Sequence, residues 1–220
     1  MDMALSELPL ALFTTLAPIG AGGFAIMALI ACFSSAREED GATSESRKSG
    51  MAALAKWTVV PFLVTGVGFL SAAADTANPM HGFGVFAGLG RSPLANEVFV
   101  GALFMVAALV FAIMAIANAS EKPLKVFSVI AAVLAVLFSL SIGMAYMVPT
   151  IISWDVIALP LEILGFALLG GSALYALIAQ CSHISLSDAK ASKSLSVVSI
   201  IGGIIAICAV AAHLMLVSGM

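Results

Sequence analysis

Six long apolar runs divide the chain, and short segments that hold most of its charges separate them. A helix needs about 20 apolar residues to cross a hydrocarbon core, so runs of this length predict membrane spans. The runs lack the alternation of barrel strands, and only helices or closed barrels satisfy the backbone within lipid. The pattern therefore predicts an all-α integral membrane protein. Its single bundle of six transmembrane helices would cover approximately residues 8–33, 51–74, 93–117, 123–147, 156–178 and 195–217.

Composition excludes two broad classes of protein. The chain is 62% hydrophobic and 10% charged, whereas about a quarter of an average soluble protein is charged. This balance excludes an ordinary soluble domain. The 12 acidic residues outnumber the 9 Lys and Arg, so no positive field is available for binding nucleic acid.

Acidic Asp2 and Glu7 precede the first run. Since a signal peptide begins with basic residues, we expect that run to be a permanent span.

The basic residues predict the orientation in the membrane. Lys and Arg near span ends are retained in the cytoplasm. Eight of the nine lie between the first and second, third and fourth, or fifth and sixth runs, or just inside the run that follows, and the exception is Arg91. We therefore expect both termini outside the cytoplasmic membrane, with the connections at 75–92 and 149–155 on the same side.

Ionisable groups at membrane depth are rare and are functional candidates by default. Four fall near the expected outer ends of the spans: Asp75, Glu97, Glu162 and His213. Glu97 is the strongest candidate, because Ser92 and Pro93 predict a helix start that places it about 7 Å into the helix. Desolvation and the helix N-terminus have opposite effects on the pKa of a carboxyl at this depth, so the group can exchange a proton near neutral pH. The alternative is a carboxyl that only hydrogen-bonds a neighbouring helix.

Three other polar side chains have structural alternatives. Asn96 could orient a ligand beside Glu97, although adjacent helical residues point about 100° apart. Glu162 follows Pro160 and could partner a carbonyl that the proline leaves unpaired. We expect His213 to be a polar residue whose hydrogen bonds are satisfied.

The connection at 75–92 is too apolar for a simple solvated loop. Its glycines and phenylalanines, with His81 and Arg91, suit a cover over a hydrophobic ligand or a docking surface for another subunit. Arg91, Phe83 and Phe86 are the candidate docking residues. A loop that packs over the helix ends fits the same pattern.

No haem or metal is expected in this chain. Membrane cytochromes commonly use facing histidine pairs, but His81 and His213 are expected on one side and His183 on the other. The cysteines show no metal-ligand spacing. We expect all three, Cys32, Cys181 and Cys208, to be buried small hydrophobic residues.

Several strings resemble one known family. The string ELPLALFTTL at 7–16, followed by AGGF at 21–24, resembles the start of DmsC-type anchor subunits of dimethyl sulfoxide reductase. The strings NPMHGF at 78–83 and RSPLANE at 91–97 resemble that family's second external segment and the entry to its third span. A weaker likeness continues through VPT at 148–150, Pro160 and Gly170-Gly171.

The resemblance implies a membrane anchor, without metal of its own, that binds and oxidises menaquinol. Its electrons would pass to an iron–sulfur subunit and then to a molybdopterin catalytic subunit. Glu97 matches the family glutamate that is tied to quinol binding. Asp75 stands where the family usually has a histidine, so Asp75 or His81 is expected at the second quinol hydroxyl. Family members of this type also carry about two further spans.

Two other functions fit a small multi-span protein. A transporter with acidic gating residues should carry polar groups and broken helices at the bilayer midplane. The central turns here are almost wholly apolar, which disfavours that function. The remaining alternative is a membrane tether or assembly factor without a redox role.

Overall fold

The computed structural model describes residues 8–33, 53–75, 79–151, 153–182 and 189–219, without the side chains of 75, 79–83 and 189–191. The described part is helical, without strands. Its long helices are α1 (Leu8–Phe33), α2 (Val59–Asp75), α3 (Pro93–Ile116), α4 (Glu121–Tyr146), α5 (Ala158–Cys181) and α6 (Ala189–Ser218). A 3-10 helix, Pro79–Gly88, connects α2 to α3. The predicted cytoplasmic loop between α1 and α2 lies outside the described residues.

All six helices are long and apolar enough to cross a membrane, which confirms the predicted fold class. The second span includes a helical turn before Thr58 and covers Ala53–Ala74. Predicted and observed span bounds differ by no more than three residues. Length and hydropathy alone therefore located the helices.

Helix α1 forms the centre of the bundle, where it packs against α2, α4 and α5. Glycines make this close packing possible. A Cβ at Gly20 would overlap Thr65 of α2, and one at Gly22 would overlap the carbonyl oxygen of Ala167 in α5. Because apolar side chains gain little by leaving lipid, small residues and close backbone approach carry much of the helix association.

The other helices are arranged around this centre. Helix α4 contacts α1, α3 and α5, while α6 packs mainly on α5 and is the most peripheral span described. Consecutive spans run in opposite directions, so the starts of α1, α3 and α5 and the ends of α2, α4 and α6 share one end of the bundle. We call this the Glu97 end.

A cluster of phenylalanines joins the first four helices. The rings of Phe69 and Phe138 are stacked with their centroids 5.3 Å apart. Phe13 meets Phe69 edge-on at 5.7 Å, and Phe104 stacks on Phe138 at 6.2 Å. Such ring pairs contribute about 0.5–1.5 kcal/mol each beyond burial, and they fix how the helices are rotated against one another.

Two expectations are wrong. Cys181 and Cys208 are exposed, and only Cys32 is buried, because a small thiol is tolerated against lipid as well as inside the bundle. Pro160 is the third residue of α5, and a first-turn N–H has no partner within its helix in any case. The proline therefore leaves no carbonyl for Glu162 to partner.

Candidate functional site

The start of α3 sets the position of Glu97. Ser92 has an extended backbone and Pro93 opens the helix, as predicted, but the Ser92 hydroxyl makes no capping hydrogen bond. Its backbone carbonyl instead accepts the Asn96 N–H at 3.1 Å. Glu97 is the fifth residue of the helix, and its side chain is 1% exposed. The structure thus places this carboxyl inside the bundle, one turn from the helix start.

Aromatic rings lie next to Glu97 along the same helix face. Gly101 is one turn further into α3, and a Cβ there would lie 2.7 Å from Cε2 of Phe138 and would overlap Phe69. Rings from α2 and α4 therefore pack directly on the α3 backbone one turn from Glu97. Glu97 faces the interior of the bundle rather than lipid.

One oxygen of the Glu97 carboxyl, Oε1, is buried and has no hydrogen-bond partner among the described residues. An unsatisfied buried polar group costs about 1–3 kcal/mol, and more when it is charged. A donor from a ligand would remove that cost. The side chains of Asp75 and His81, the other predicted proton acceptors, lie outside the described residues.

Asn96 has a defined local role. Its Oδ1 accepts the backbone N–H of Gly90 at 2.8 Å. Gly90 adopts φ +77°, a conformation that favours glycine. The bond fixes the turn by which the chain passes from the 3-10 helix into α3. Asn96 therefore orients the segment next to Glu97.

The 3-10 helix lies against the ends of α2 and α3. Phe86 of this helix is 38% exposed, Leu89 just after the helix is 42% exposed, and Arg91 follows at the turn. The side chain of Phe83 lies outside the described residues. The segment is thus both a cover at the Glu97 end and an exposed apolar surface, and its use for docking stays a prediction.

Comparisons with known proteins give the family of this chain. The family model described as "DMSO reductase anchor subunit (DmsC)" matches residues 1–219. The chain belongs to this family. It is also 24% identical over 156 residues to the C subunit of the anaerobic dimethyl sulfoxide reductase of Haemophilus influenzae, a match that covers 70% of this chain and 52% of the relative. The chain thus spans about half the length of that relative. No solved structure matches it.

This member of the DmsC family also holds a polar pair in the membrane-spanning region, separate from Glu97. Nδ1 of His213 lies 2.6 Å from Oε1 of Glu162, and Nε2 lies 2.8 Å from the carbonyl oxygen of Ser153. Because a carbonyl oxygen can only accept, Nε2 carries a proton and donates it. The expectation that the hydrogen bonds of His213 are satisfied is confirmed.

The sequence did not pair these two residues, which lie 51 positions apart. The available signal was their similar depth on consecutive spans. Polar groups within spans tend to meet one another, and this tendency could have suggested the contact.

A cavity of about 670 Å³ opens between α1, α5 and α6. Its walls include Pro18, Ile19, Phe166 and Leu195. None of its lining residues belongs to α2, α3 or α4, so Glu97 does not line it.

Within the described residues, no group of three or more His, Cys, Asp or Glu side chains could hold a metal ion.

Proposed function

We propose that this chain is the membrane anchor of a DMSO-reductase-type complex and oxidises menaquinol at the Glu97 end. Its electrons pass to an iron–sulfur subunit and from there to a molybdopterin catalytic subunit. One observation carries the proposal: a fully buried carboxyl has an oxygen without a hydrogen-bond partner in the described structure. A quinol hydroxyl is a donor of the kind that this oxygen requires.

The chemistry assigns one role to each end of the quinol ring. One hydroxyl donates to Oε1 of Glu97, and Asp75 or His81 receives the other. Oxidation removes two electrons and two protons from menaquinol and leaves menaquinone. Glu97 accepts one of the protons as a general base, and the electrons leave toward the partner subunit.

The quinol enters from the side, between spans. Helices α2 and α3 contact each other at few points. By contrast, α2 packs extensively on α1, and α3 packs extensively on α4. The 3-10 helix bridges the ends of α2 and α3 at the Glu97 end. Movement at this edge opens a path from the lipid to Glu97 without separating the well-packed helices.

The Glu97 end faces the extracytoplasmic side of the cytoplasmic membrane. Lys122, Lys125 and Lys193 lie at the opposite end of the bundle, and Arg91 is the basic side chain described at the Glu97 end. This distribution agrees with retention of basic residues in the cytoplasm. Protons and electrons are then released on the same side, so this half-reaction moves no net charge across the bilayer.

The partner subunit docks on the surface that Phe86 and Arg91 present. The predicted docking residue Phe83 belongs to the same segment, and its side chain lies outside the described residues. Exposed aromatic residues with an arginine are typical of interface centres. This surface belongs to the segment that leads into the start of α3, the helix that carries Glu97, so electrons travel a short distance from the quinol to the partner.

The substitution Glu97→Gln tests the proposal in the purified complex. We expect quinol oxidation to fall about 100-fold, since a positioned general base contributes at least that factor. Glu121→Gln is the matched control, because Glu121 lies in the first turn of α4 at the opposite end, where it pairs with Lys125 at 3.5 Å. Binding of a quinol analogue should weaken only in Glu97→Gln.

Retention of the partner subunits is measured in the same preparations. Unchanged quinol turnover and analogue binding in Glu97→Gln would remove Glu97 from the mechanism. If the complex stays intact and the wild-type chain binds no quinol, the chain is a tether.

A further inference from the structure

The α5 wall of the cavity between α1, α5 and α6 leads toward the Glu162–His213 pair, and neither residue of the pair lines the cavity itself. Phe166, Leu169, Ala173 and Ala176 of α5 line it. Glu162 precedes these residues by 4, 7, 11 and 14 positions, a spacing that keeps side chains on one face of a helix. Glu162 therefore extends the lining stripe at the Glu97 end of the cavity, and His213 reaches it there from α6.

The cavity wall is mainly apolar, and four of its five lining hydroxyl groups are already engaged in hydrogen bonds. The hydroxyls of Thr14, Thr15, Ser172 and Ser196 bond carbonyl oxygens one turn back in their own helices, at 3.1, 2.7, 2.7 and 2.9 Å. The remaining wall is largely aliphatic and aromatic. The volume lies within the roughly 300–1,000 Å³ range of small-molecule sites. A flexible hydrocarbon chain matches these walls.

The Glu162–His213 pair can bind a donor at the end of such a chain. Oε1 of Glu162 bonds His213, and the Glu162 side chain remains 12% exposed. A carboxyl with one oxygen so engaged accepts a hydroxyl at the other. Both ring nitrogens of His213 already have partners, so the pair recognises a donor rather than an acceptor.

Charge disfavours a phospholipid headgroup at this position. No Lys or Arg occurs at residues 147–165 or 204–219, and Asp155 lies two residues from Ser153. A phosphate would thus meet acidic groups without a Lys or Arg to pair with it, and both ring nitrogens of His213 are already engaged. A neutral head that bears a hydroxyl avoids this repulsion.

We propose that this chain carries a second lipid-binding site, in which the cavity takes the tail and the Glu162–His213 pair takes the hydroxyl head of a prenylated quinol. The choice of a quinol rests on the proposed function, whereas the shape and polarity of the site do not. The site binds without oxidising its occupant, and it is separate from Glu97.

Photolabelling of the full chain in phospholipid nanodiscs tests this proposal. The probe is a naphthoquinol with a diazirine in its prenyl tail, and labelled peptides are mapped by mass spectrometry. We expect labelling of α5 at the cavity. Ala173→Phe, which places a ring in the cavity at an exposed position, should reduce that labelling at least tenfold. Leu177→Phe is the control, because Leu177 is 60% exposed on the same helix and does not line the cavity.

Two further experiments distinguish recognition of the quinol head from nonspecific occupation of the cavity by a hydrocarbon chain. Glu162→Gln, which keeps an oxygen acceptor for His213, should also reduce the α5 labelling. The same diazirine tail without a quinol head should label α5 at least tenfold less. Equal labelling by the headless tail, or unchanged labelling in Ala173→Phe, overturns the proposal. Glu97→Gln should leave α5 labelling intact, so failure at Glu97 is distinguished from failure at this site.

Discussion

At the scale of single residues, the size of a side chain decides how closely these helices approach. Gly22 and Gly171 lie where a Cβ would meet backbone atoms of the facing helix, whereas a Cβ at Gly203 would meet nothing within 4 Å. Both kinds of glycine occur in Gly-Gly pairs of the sequence. A glycine therefore contributes to close helix packing only where the facing helix lies against it.

We expect Gly22→Ala to destabilise the purified protein by about 1–3 kcal/mol, the usual effect of overpacking. Its Cβ would overlap the Ala167 carbonyl oxygen, which belongs to the backbone and cannot rotate away. Gly203→Ala is the control and should be neutral or slightly stabilising, since alanine is the better helix former. Thermal unfolding in detergent measures both variants. Equal melting temperatures of the two variants would show that α1 and α5 can move apart to accommodate the added methyl group at little cost.

The hydrogen bond from Gly90 to Asn96 is expected to hold the turn before α3. Asn96→Ala removes the acceptor, which should weaken the turn by about 1 kcal/mol and speed amide exchange at Gly90 roughly fivefold. Asn96→Asp retains an acceptor oxygen and should exchange nearly as slowly as the wild type. Hydrogen exchange followed by mass spectrometry of the turn peptide gives the rates. Similar rates in all three proteins would contradict the role of this bond.

At the scale of helices, the aromatic cluster sets how α4 faces its neighbours. Phe138 contacts the rings of Phe13, Phe69 and Phe104. It thereby links α4 to the other three helices of the first half of the chain.

Phe138→Ala is expected to cost about 3 kcal/mol, because the cavity left inside the bundle forfeits those ring contacts. Leu137→Ala removes the adjacent side chain, which is 47% exposed toward lipid, and should change stability much less. Chemical denaturation in mixed micelles compares the two variants. A larger loss in Leu137→Ala would mean that α4 is rotated relative to the described packing.

The sequence predicted the helices far better than their contacts. Lipid requires a minimum apolar length, and that length is visible in the order of the residues. Which face of a helix is buried is not visible, because α1 is apolar all round and yet places Phe13 and Phe24 against α3 and α4. The depth of Glu97 followed from the helix start at Pro93, whereas its burial inside the bundle and the bond between Glu162 and His213 depend on how the helices are rotated.

At the scale of the whole molecule, polar chemistry is concentrated at one end of the bundle. Glu97 and the Glu162–His213 pair lie on opposite sides of α1 and α4, yet both are near the Glu97 end. The midplane is filled by phenylalanine, alanine and glycine. Thr65 and Ser139, buried deeper, donate to carbonyl oxygens of their own helices, so the described bundle provides no polar path between its two ends.

Orientation in the membrane decides where the products of quinol oxidation are released. With the native cysteines replaced, Arg91→Cys places a thiol at the Glu97 end and Ser120→Cys places one at the opposite end, before α4. We expect a membrane-impermeant maleimide to label Arg91→Cys in right-side-out vesicles and Ser120→Cys only after permeabilisation. The reason is that the basic side chains of α4 and α6 favour the cytoplasm at their end of the bundle. Both positions are exposed, so a difference in labelling reports sidedness rather than burial. The reverse pattern would place Glu97 near the cytoplasm, and the electrons and protons of the quinol would then leave on that side.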